Sequence, residues 1–359
     1  IEPDSYASAG KASGHAYSSD GGLSWTVGGP LPPHEADDGM LLPGGDRLKP
    51  VELPPGRAEE LGGYRRVCEF TCSYGYPRTL LRAADLPPDL ASWRFARLPA
   101  GGGRWVEETA LIRIPEELRC VVQEKRGAGP AGTGVLPRPF LQGKMRLAPD
   151  GSLWAASYEW RLQEGRRRYA PLCLRSPDGG RRWDLVGEIR YRGDTGADPH
   201  AAVRDGFTEP DWCWAPDGSI VCLMRSMDGH GHGPLYVARS DDGGASWSTP
   251  EAFDTFVKMP QLLRLGCGAT LASYGASGGP GFFVVRASGD SAGRIWSDPV
   301  RTPVSPVPAG AWDSCGHTEM VALDETSALV VSSDFNRPDD DGLPRKTILV
   351  RRIEVSPAS

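Results

Sequence analysis

The chain has 359 residues, 39% of them apolar, and a net charge of -6. That apolar content supplies a large core, and no apolar run is long enough to span a membrane. The acidic balance, with no basic tract of the kind that tracks phosphates, argues against nucleic acid as a partner.

The sequence starts at Ile1, without Met and without a leader pattern. The first landmark is the octet Ser18-Ser-Asp20-Gly-Gly22-Leu-Ser-Trp25. The pattern S-x-D-x-G-x-x-W returns at Ser176–Trp183 and Ser240–Trp247, in stretched form at Ser288–Trp296, and in a worn form expected at Ala84–Trp93. Asp caps its own turn by accepting backbone amides, Gly supplies positive φ, and Trp packs back over the bend. Such an octet is a turn between two strands.

A second unit accompanies the octets: an apolar run, a turn and another apolar run. It occurs at 40–52, 145–158, 213–226, 261–274 and 319–333. Hairpin, third strand, capped turn and fourth strand make one antiparallel sheet, and its repetition predicts an all-β fold. Sheets of this kind stack around an axis, so the expected architecture is a six-bladed β-propeller of four-stranded antiparallel blades, a single domain over 1–359. Residues 26–38, 127–139 and 192–206 read as loops, and Arg166-Arg167-Arg168 as a solvated loop. Too few residues precede the first octet to form an inner hairpin, so the first blade is expected to be incomplete or to borrow strands from elsewhere.

The hairpin at 207–226 carries a carboxylate and a guanidinium at its open end, Glu209 and Arg225. A two-residue turn at Asp217-Gly218 would put Cys213 opposite Cys222, close enough to bridge or to remain two buried thiols. There are eight Cys in all. Cys68 and Cys72 lack a second close pair for zinc, His230 and His232 lack a third ligand, and no acidic loop has calcium spacing. No metal or cofactor is implied.

Inner strands of a propeller converge on one mouth, so the turn glycines serve as a ruler. Positions equivalent to Glu209 are Gln142, Met259 with Lys258 beside it, and His317 with Glu319 close by. Positions equivalent to Arg225 are Tyr158 with Glu159, Gly275 with Tyr274, and Ser333 with Asp334. The expected mouth therefore holds Glu209, His317, Tyr274 and Glu319 as candidate catalytic groups. Arg225, Lys258, Gln142, Tyr158 and Asp334 are candidate substrate-binding groups. Carboxylates, cations, a histidine and tyrosines suit a polar or anionic sugar. The alternative reading is that Glu209 and Arg225 only satisfy each other at a strand end. In an ideal hairpin they point to opposite faces, and a bulge is needed to bring them together.

The octets resemble the Asp-box (BNR) repeats of the sialidase-like six-bladed propellers, and the resemblance covers nearly the whole chain. It implies export and a glycan substrate. In that family a Glu at the start of a central inner hairpin assists a tyrosine nucleophile, and an Arg at the hairpin's end helps hold a carboxylate. Glu209 and Arg225 match those two positions. The family's Arg-Ile-Pro motif and acidic Asp have no counterpart in residues 1–17, and Arg113-Ile-Pro115 falls after the first octet. The run from Tyr274 to Pro280 lacks the family's next Arg, and His317 stands where the tyrosine is expected. The resemblance thus implies a sialidase-like glycoside hydrolase with altered specificity. A non-catalytic glycan-binding propeller and a polysaccharide lyase remain as alternatives.

Overall fold

The computed structural model describes residues 16–28, 39–51, 56–57, 65–72, 77–88, 92–116, 118–123, 134–136, 141–227, 230–231, 233–255, 258–276, 282–290, 292–306 and 317–356. His232 and residues 1–15 lie outside them, as do parts of the predicted loops at 26–38 and 127–139. The chain divides into two compact units, 1–38 and 39–359. Within the first, strands Ala16–Tyr17 and Thr26–Val27 pair antiparallel across the first octet.

The second unit is built of antiparallel sheets in chain order. The first sheet comprises Met40–Leu41, Arg47–Pro50, Trp93–Leu98 and Val106–Arg113. The second comprises Gln142–Leu147, Leu153–Gln163, Arg166–Ser176 and Arg182–Glu188. The third comprises Phe207–Trp214, Ile220–Ser226, Leu235–Ser240 and Glu251–Asp254. The fourth comprises Lys258–Arg264, Thr270–Ala276, Phe282–Ser288 and Val300–Pro303. The fifth comprises Thr318–Ala322, Ser327–Pro338 and Pro344–Glu354. Each of the five predicted hairpins is therefore present.

Two features were not anticipated. The outer strands of the first and second sheets pair in parallel, Leu111–Arg113 against Arg182–Asp184. Strands Gly56–Arg57, Arg66–Thr71, Pro77–Arg82, Leu118–Gln123 and Gly134–Leu136 also form an accessory antiparallel layer, joined to the second sheet at Leu118 and Trp160. Gly134–Leu136 and Thr26–Val27 are strands inside stretches expected to be loops, and Arg166-Arg167-Arg168, expected to be a loop, opens the strand Arg166–Ser176.

Side-chain alternation makes the sheets stack. Successive residues of a strand face opposite ways, and Ile220–Ser226 is apolar on both faces. Ile220, Cys222 and Met224 pack toward the second sheet, among Trp154, Ala156 and Cys173. Val221 and Leu223 pack the other way, among Leu262, Ala272 and Tyr274 of the fourth sheet. Further clusters join the first sheet to the second through Leu48, Phe95, Leu153 and Trp183, and the fourth to the fifth through Leu271, Val285, Met320 and Val330. Each fully buried Leu, Ile or Val contributes about 1.5–3 kcal/mol. A continuous apolar run is thus the signature of a sheet covered on both sides.

The inner edges converge. Lys144, on the inner strand of the second sheet, donates from Nζ to the Met320 carbonyl of the fifth at 2.6 Å. Arg146, two residues on, reaches Asp211 of the third sheet and the Leu262 carbonyl of the fourth. One strand can touch three other sheets in this way only where their inner edges share a centre.

The capped turns form as expected. In the octets beginning at Ser18, Ser176 and Ser240, the Ser hydroxyl donates to the Asp carboxylate at 2.7, 3.0 and 2.8 Å. It also accepts from the second Gly N–H at 2.8 Å in all three. The Trp indole N–H closes each turn on that glycine's carbonyl. The stretched copy keeps the scheme, with Trp296 donating to the Gly293 carbonyl at 3.0 Å.

The worn octet lies elsewhere than predicted. Trp93 begins the third strand of the first sheet, and the turn that follows is Leu98-Pro-Ala-Gly-Gly-Gly-Arg-Trp105. Ala100 stands where the other copies have Asp, and its N–H donates at 3.0 Å to Asp46 of the neighbouring hairpin turn. Asp46 thus braces this turn from 54 residues away, by a bond other than those the octet Asp makes to the amides three and four residues on.

The register at 207–226 also differs by one residue from the prediction. Trp212 faces Cys222 and Cys213 faces Val221. The loop is Pro216-Asp217-Gly218, closed by Ala215 and Ser219, with Gly218 at φ 88°. Cys213 and Cys222 then lie on opposite faces of the sheet, which rules out the bridge, and both are free buried thiols. Burial pushes the Cys213 thiol up to about 12.

Candidate functional site

Glu209 sits where the innermost strand of the third sheet is interrupted. Thr208 pairs with Arg225 and Asp211 with Leu223, so one extra residue is accommodated between them. Glu209 takes φ 49° and is followed by Pro210. A residue before proline is steered away from the right-handed helical region, and the left-handed region costs a non-glycine residue roughly 1–2 kcal/mol. The bulge re-aims the side chain. Arg225 Nη1 donates to Glu209 Oε1 at 2.7 Å, although the two are not opposite each other in the ladder.

The second Glu209 oxygen is also engaged. Oε2 accepts the Met259 N–H of the fourth sheet at 3.1 Å. The Glu209 and Arg225 side chains keep 17% and 14% of their surface exposed, so the pair is accessible but mostly desolvated. Tyr158 of the second sheet stands near it. Burial first, then the negative charges of Glu209 and Glu159, push its phenol well above the usual tyrosine range, and Arg225 opposes them. Glu159 itself is buried and accepts from Arg119 Nη1 at 3.0 Å.

Beneath the pair lies an ionic knot. Arg146 Nη2 donates to both Asp211 oxygens at 3.1 and 3.2 Å and to the Leu262 carbonyl at 3.0 Å. The Leu262 N–H returns a 2.7 Å hydrogen bond to Asp211 Oδ2. Burial pushes the Asp211 carboxyl up, while Arg146 and the Leu262 amide pull it back. This knot fixes the inner strands of three sheets relative to one another. No motif announces it, because its members lie 65 and 116 residues apart.

The other predicted residues divide. Lys258 pairs with Gly275 immediately before the Met259 bulge. Gln142 pairs through its backbone with Ala156, and its side chain lies outside the described residues. His317 directly precedes the innermost strand of the fifth sheet. Glu319 is exposed and ion-paired to Lys144 at 2.5 Å. Tyr274 is fully buried between the third and fourth sheets. Its hydroxyl donates to Asp254 Oδ2 at 2.9 Å, and burial, then the Asp254 charge, raises its phenol. Asp334 is buried too, accepting from the Ser305 N–H and hydroxyl at 3.1 and 2.9 Å. The structure therefore groups Glu209, Arg225, Tyr158 and the Met259 backbone, and places the Tyr274 and Asp334 side chains within packed interiors. For Tyr274 the ruler held along the strand, but position along a strand does not decide which face a side chain takes.

Arg113 of the Arg-Ile-Pro sequence is exposed and ends the outer strand of the first sheet, away from any inner hairpin. His230 stacks on His200 with ring centroids 5.6 Å apart. Among the described residues no group of three metal-ligating side chains forms.

Residues 124–306 match the family model for the BNR repeat-like domain. No curated protein matches the chain. Among solved structures, a protein of unknown function from Dyadobacter fermentans is similar at 18% identity, with 88% of this chain and 75% of that chain covered and a TM-score of 0.55. An α-L-arabinanase of Penicillium chrysogenum, complexed with arabinobiose, is similar at 16% identity over 80% of this chain and 79% of its own, with a TM-score of 0.44. The Hadza microbial sialidase Hz136 is similar at 16% identity over 89% of this chain and 56% of its own, with a TM-score of 0.45. The family match spans half of the sequence and includes the second, third and fourth sheets: the chain belongs to the BNR repeat-like domain family.

Proposed function

We propose that the chain is a six-bladed, sialidase-like propeller with Asp-box turns that cleaves a polar or anionic glycan at the Glu209–Arg225 pair. The observation that carries this reading is the pair itself, 2.7 Å apart on a bulge that turns Glu209 toward Arg225, with the Tyr158 phenol close to both. Membership of the BNR repeat-like family supports it. Stacked sheets with converging inner edges support the propeller, and the N-terminal strand pair brings a further capped turn.

In this reading Glu209 accepts a proton, and Tyr158 is the phenol beside it. Arg225 binds an anionic substituent of the sugar, since a guanidinium forms charge-assisted hydrogen bonds to a carboxylate or sulfate. Glycoside cleavage also needs an acid across the scissile bond. His317, with Glu319, is the candidate for that role. Lys258 and Gln142 belong to the substrate-binding rim. Tyr274 and Asp334 hold the scaffold through their bonds to Asp254 and Ser305 and do not touch the glycan.

The test is a panel of aryl glycosides, including sialosides and uronides, offered to the wild-type chain and to Glu209→Gln and His317→Ala. Loss of turnover in both variants, with the fold intact, supports the assignment. Undiminished turnover in both removes it.

A second reading is glycan binding without cleavage. It is favoured by the engagement of both Glu209 oxygens, one by Arg225 and one by the Met259 amide. Saturable binding with no product after long incubation would select it.

A further inference from the structure

The second sheet carries a cationic groove separate from the Glu209 pair. The hairpin of its second and third strands overshoots the sheet: Leu153–Gln163 and Arg166–Ser176 stay paired out to Gln163 and Arg166. The overshoot begins past Tyr158, so the hairpin tip lies roughly 17 Å further along the strand at about 3.3 Å per residue. The segment after Glu188 folds back against it. Gln163 Oε1 accepts the Tyr191 N–H at 2.9 Å, and the Tyr191 hydroxyl donates to the Ala201 carbonyl at 2.8 Å. Arg168 lies over the Tyr191 ring at 4.6 Å and donates to the Ala202 and Arg204 carbonyls. The walls are thus fixed by hydrogen bonds and stacking.

Between them lies a cleft of about 650 Å³ lined by Arg166, Arg168, Arg190 and Arg192. A second cleft of about 460 Å³ shares Arg190 and Arg192 and continues past Arg161 to Trp247 and Ser248. Together the two lobes present five arginines and two glutamates, Glu164 and Glu188. Glu188 is held by Arg161 at 2.7 Å and by Arg190 at 3.4 Å, so five arginines face two carboxylates. This excess of positive charge stands on a chain whose net charge is -6. Concave walls that gather one sign of charge focus their field on an ion of the other sign.

We infer that this two-lobed groove binds an acidic polysaccharide, one bearing carboxylate or sulfate groups, at a site distinct from the Glu209–Arg225 pair. Guanidiniums spaced along a groove suit a polymer with repeated anionic groups better than a single small anion. The aromatic rings of Tyr191 and Trp247 and the hydroxyl of Ser248 add the surfaces that sugar rings use. The choice of a glycan over another polyanion rests on the carbohydrate reading above. The groove itself rests only on its arginines.

The test measures affinity of the full chain for polygalacturonate, dextran sulfate and uncharged dextran by titration calorimetry at several salt concentrations. Binding of either anionic polymer that weakens as salt rises, with none to dextran, is expected. The stronger of the two names carboxylate or sulfate as the preferred group. The double variant Arg166→Gln/Arg192→Gln should weaken polyanion binding at least ~10-fold, with thermal midpoint unchanged because both side chains are exposed. Glu209→Gln should leave this binding intact, whatever it does to glycoside turnover. Unchanged affinity in the double variant overturns the groove, as does equal binding of dextran. Loss of binding in Glu209→Gln but not in the arginine variant assigns the polymer to the Glu209 pair and also overturns it. A single-stranded oligonucleotide that binds more tightly than either polysaccharide overturns the glycan assignment.

Discussion

Glu209 and Met259 occupy the same place in adjacent sheets and are hydrogen-bonded to each other. Each takes a left-handed φ, 49° and 47°, each precedes a proline, and the Met259 N–H donates to Glu209 Oε2. The repeated bulge is thus the device that turns a strand end into a site. It places one sheet's backbone donor against the next sheet's carboxylate.

Met259→Gly tests the cost of that device. It removes a left-handed penalty of roughly 1–2 kcal/mol and adds a glycine entropy cost of about 0.5–1 kcal/mol. Stability should therefore stay constant or rise by no more than about 1.5 kcal/mol, read from urea unfolding. A large loss would mean that the Met259 side chain, rather than its backbone, holds the bulge.

Asp211→Ala should be among the most damaging single changes. It leaves Arg146 partly buried without its carboxylate and removes the acceptor of the Leu262 N–H. Breaking a buried pair from one side costs about 3–5 kcal/mol. Pairing it with Arg146→Met should recover part of the loss, since no uncompensated charge then remains. Equal unfolding midpoints for wild type and Asp211→Ala would show that the knot does not tie the inner strands.

Tyr274→Phe separates chemistry from packing. The ring is buried and its hydroxyl serves Asp254, which Arg301 also contacts at 3.1 Å. The variant should lose about 0.5–1.5 kcal/mol of stability and keep its glycoside turnover. Abolished turnover in a stably folded variant would return Tyr274 to the catalytic group.

The capped turns predict acid sensitivity. The Asp242 carboxyl falls from its ordinary 3.8 to about 2, held down first by the Ser246 hydroxyl and amide and then by the Ser240 hydroxyl. Asp290 reaches about 2 as well: burial raises it, but the Ser288 hydroxyl and the amides of Arg294, Ile295 and Ala292 outweigh that. A carboxyl depressed in the folded state contributes stability above its unfolded value and loses it as pH falls through the folded value. The thermal midpoint should therefore decline between about pH 4 and pH 2, and less steeply in Asp242→Ala/Asp290→Ala. Identical slopes would show that these turns do not set the acid limit.

What the sequence disclosed follows from local physics. The five hairpins and the intact octets were legible because turn chemistry and apolar runs are written in consecutive residues. The Ala100 turn was not, because Leu98 and Ala100 stand where the octet has Ser and Asp, and the turn is braced instead by Asp46. The ladder slipped by one because Asp-Gly also closes a three-residue loop; a two-residue turn needs positive φ at Asp217 as well as Gly218, and only Gly218 has it. The nearness of Glu209 and Arg225 is legible in the hairpin, yet the bulge that unites them depends on the Glu-Pro step and on Met259 across the sheet boundary. Tyr274 and Asp334 were placed by position along a strand, while their burial is decided by which neighbouring sheet covers each face.

The most direct test of the central claim is the rate of aryl glycoside hydrolysis by wild type and Glu209→Gln, measured side by side with unfolding midpoints. The account predicts turnover by the wild type and a loss of at least ~100-fold in the variant, with similar midpoints. Equal rates in the two proteins, or a wild type that turns over no glycoside in the panel, would contradict it.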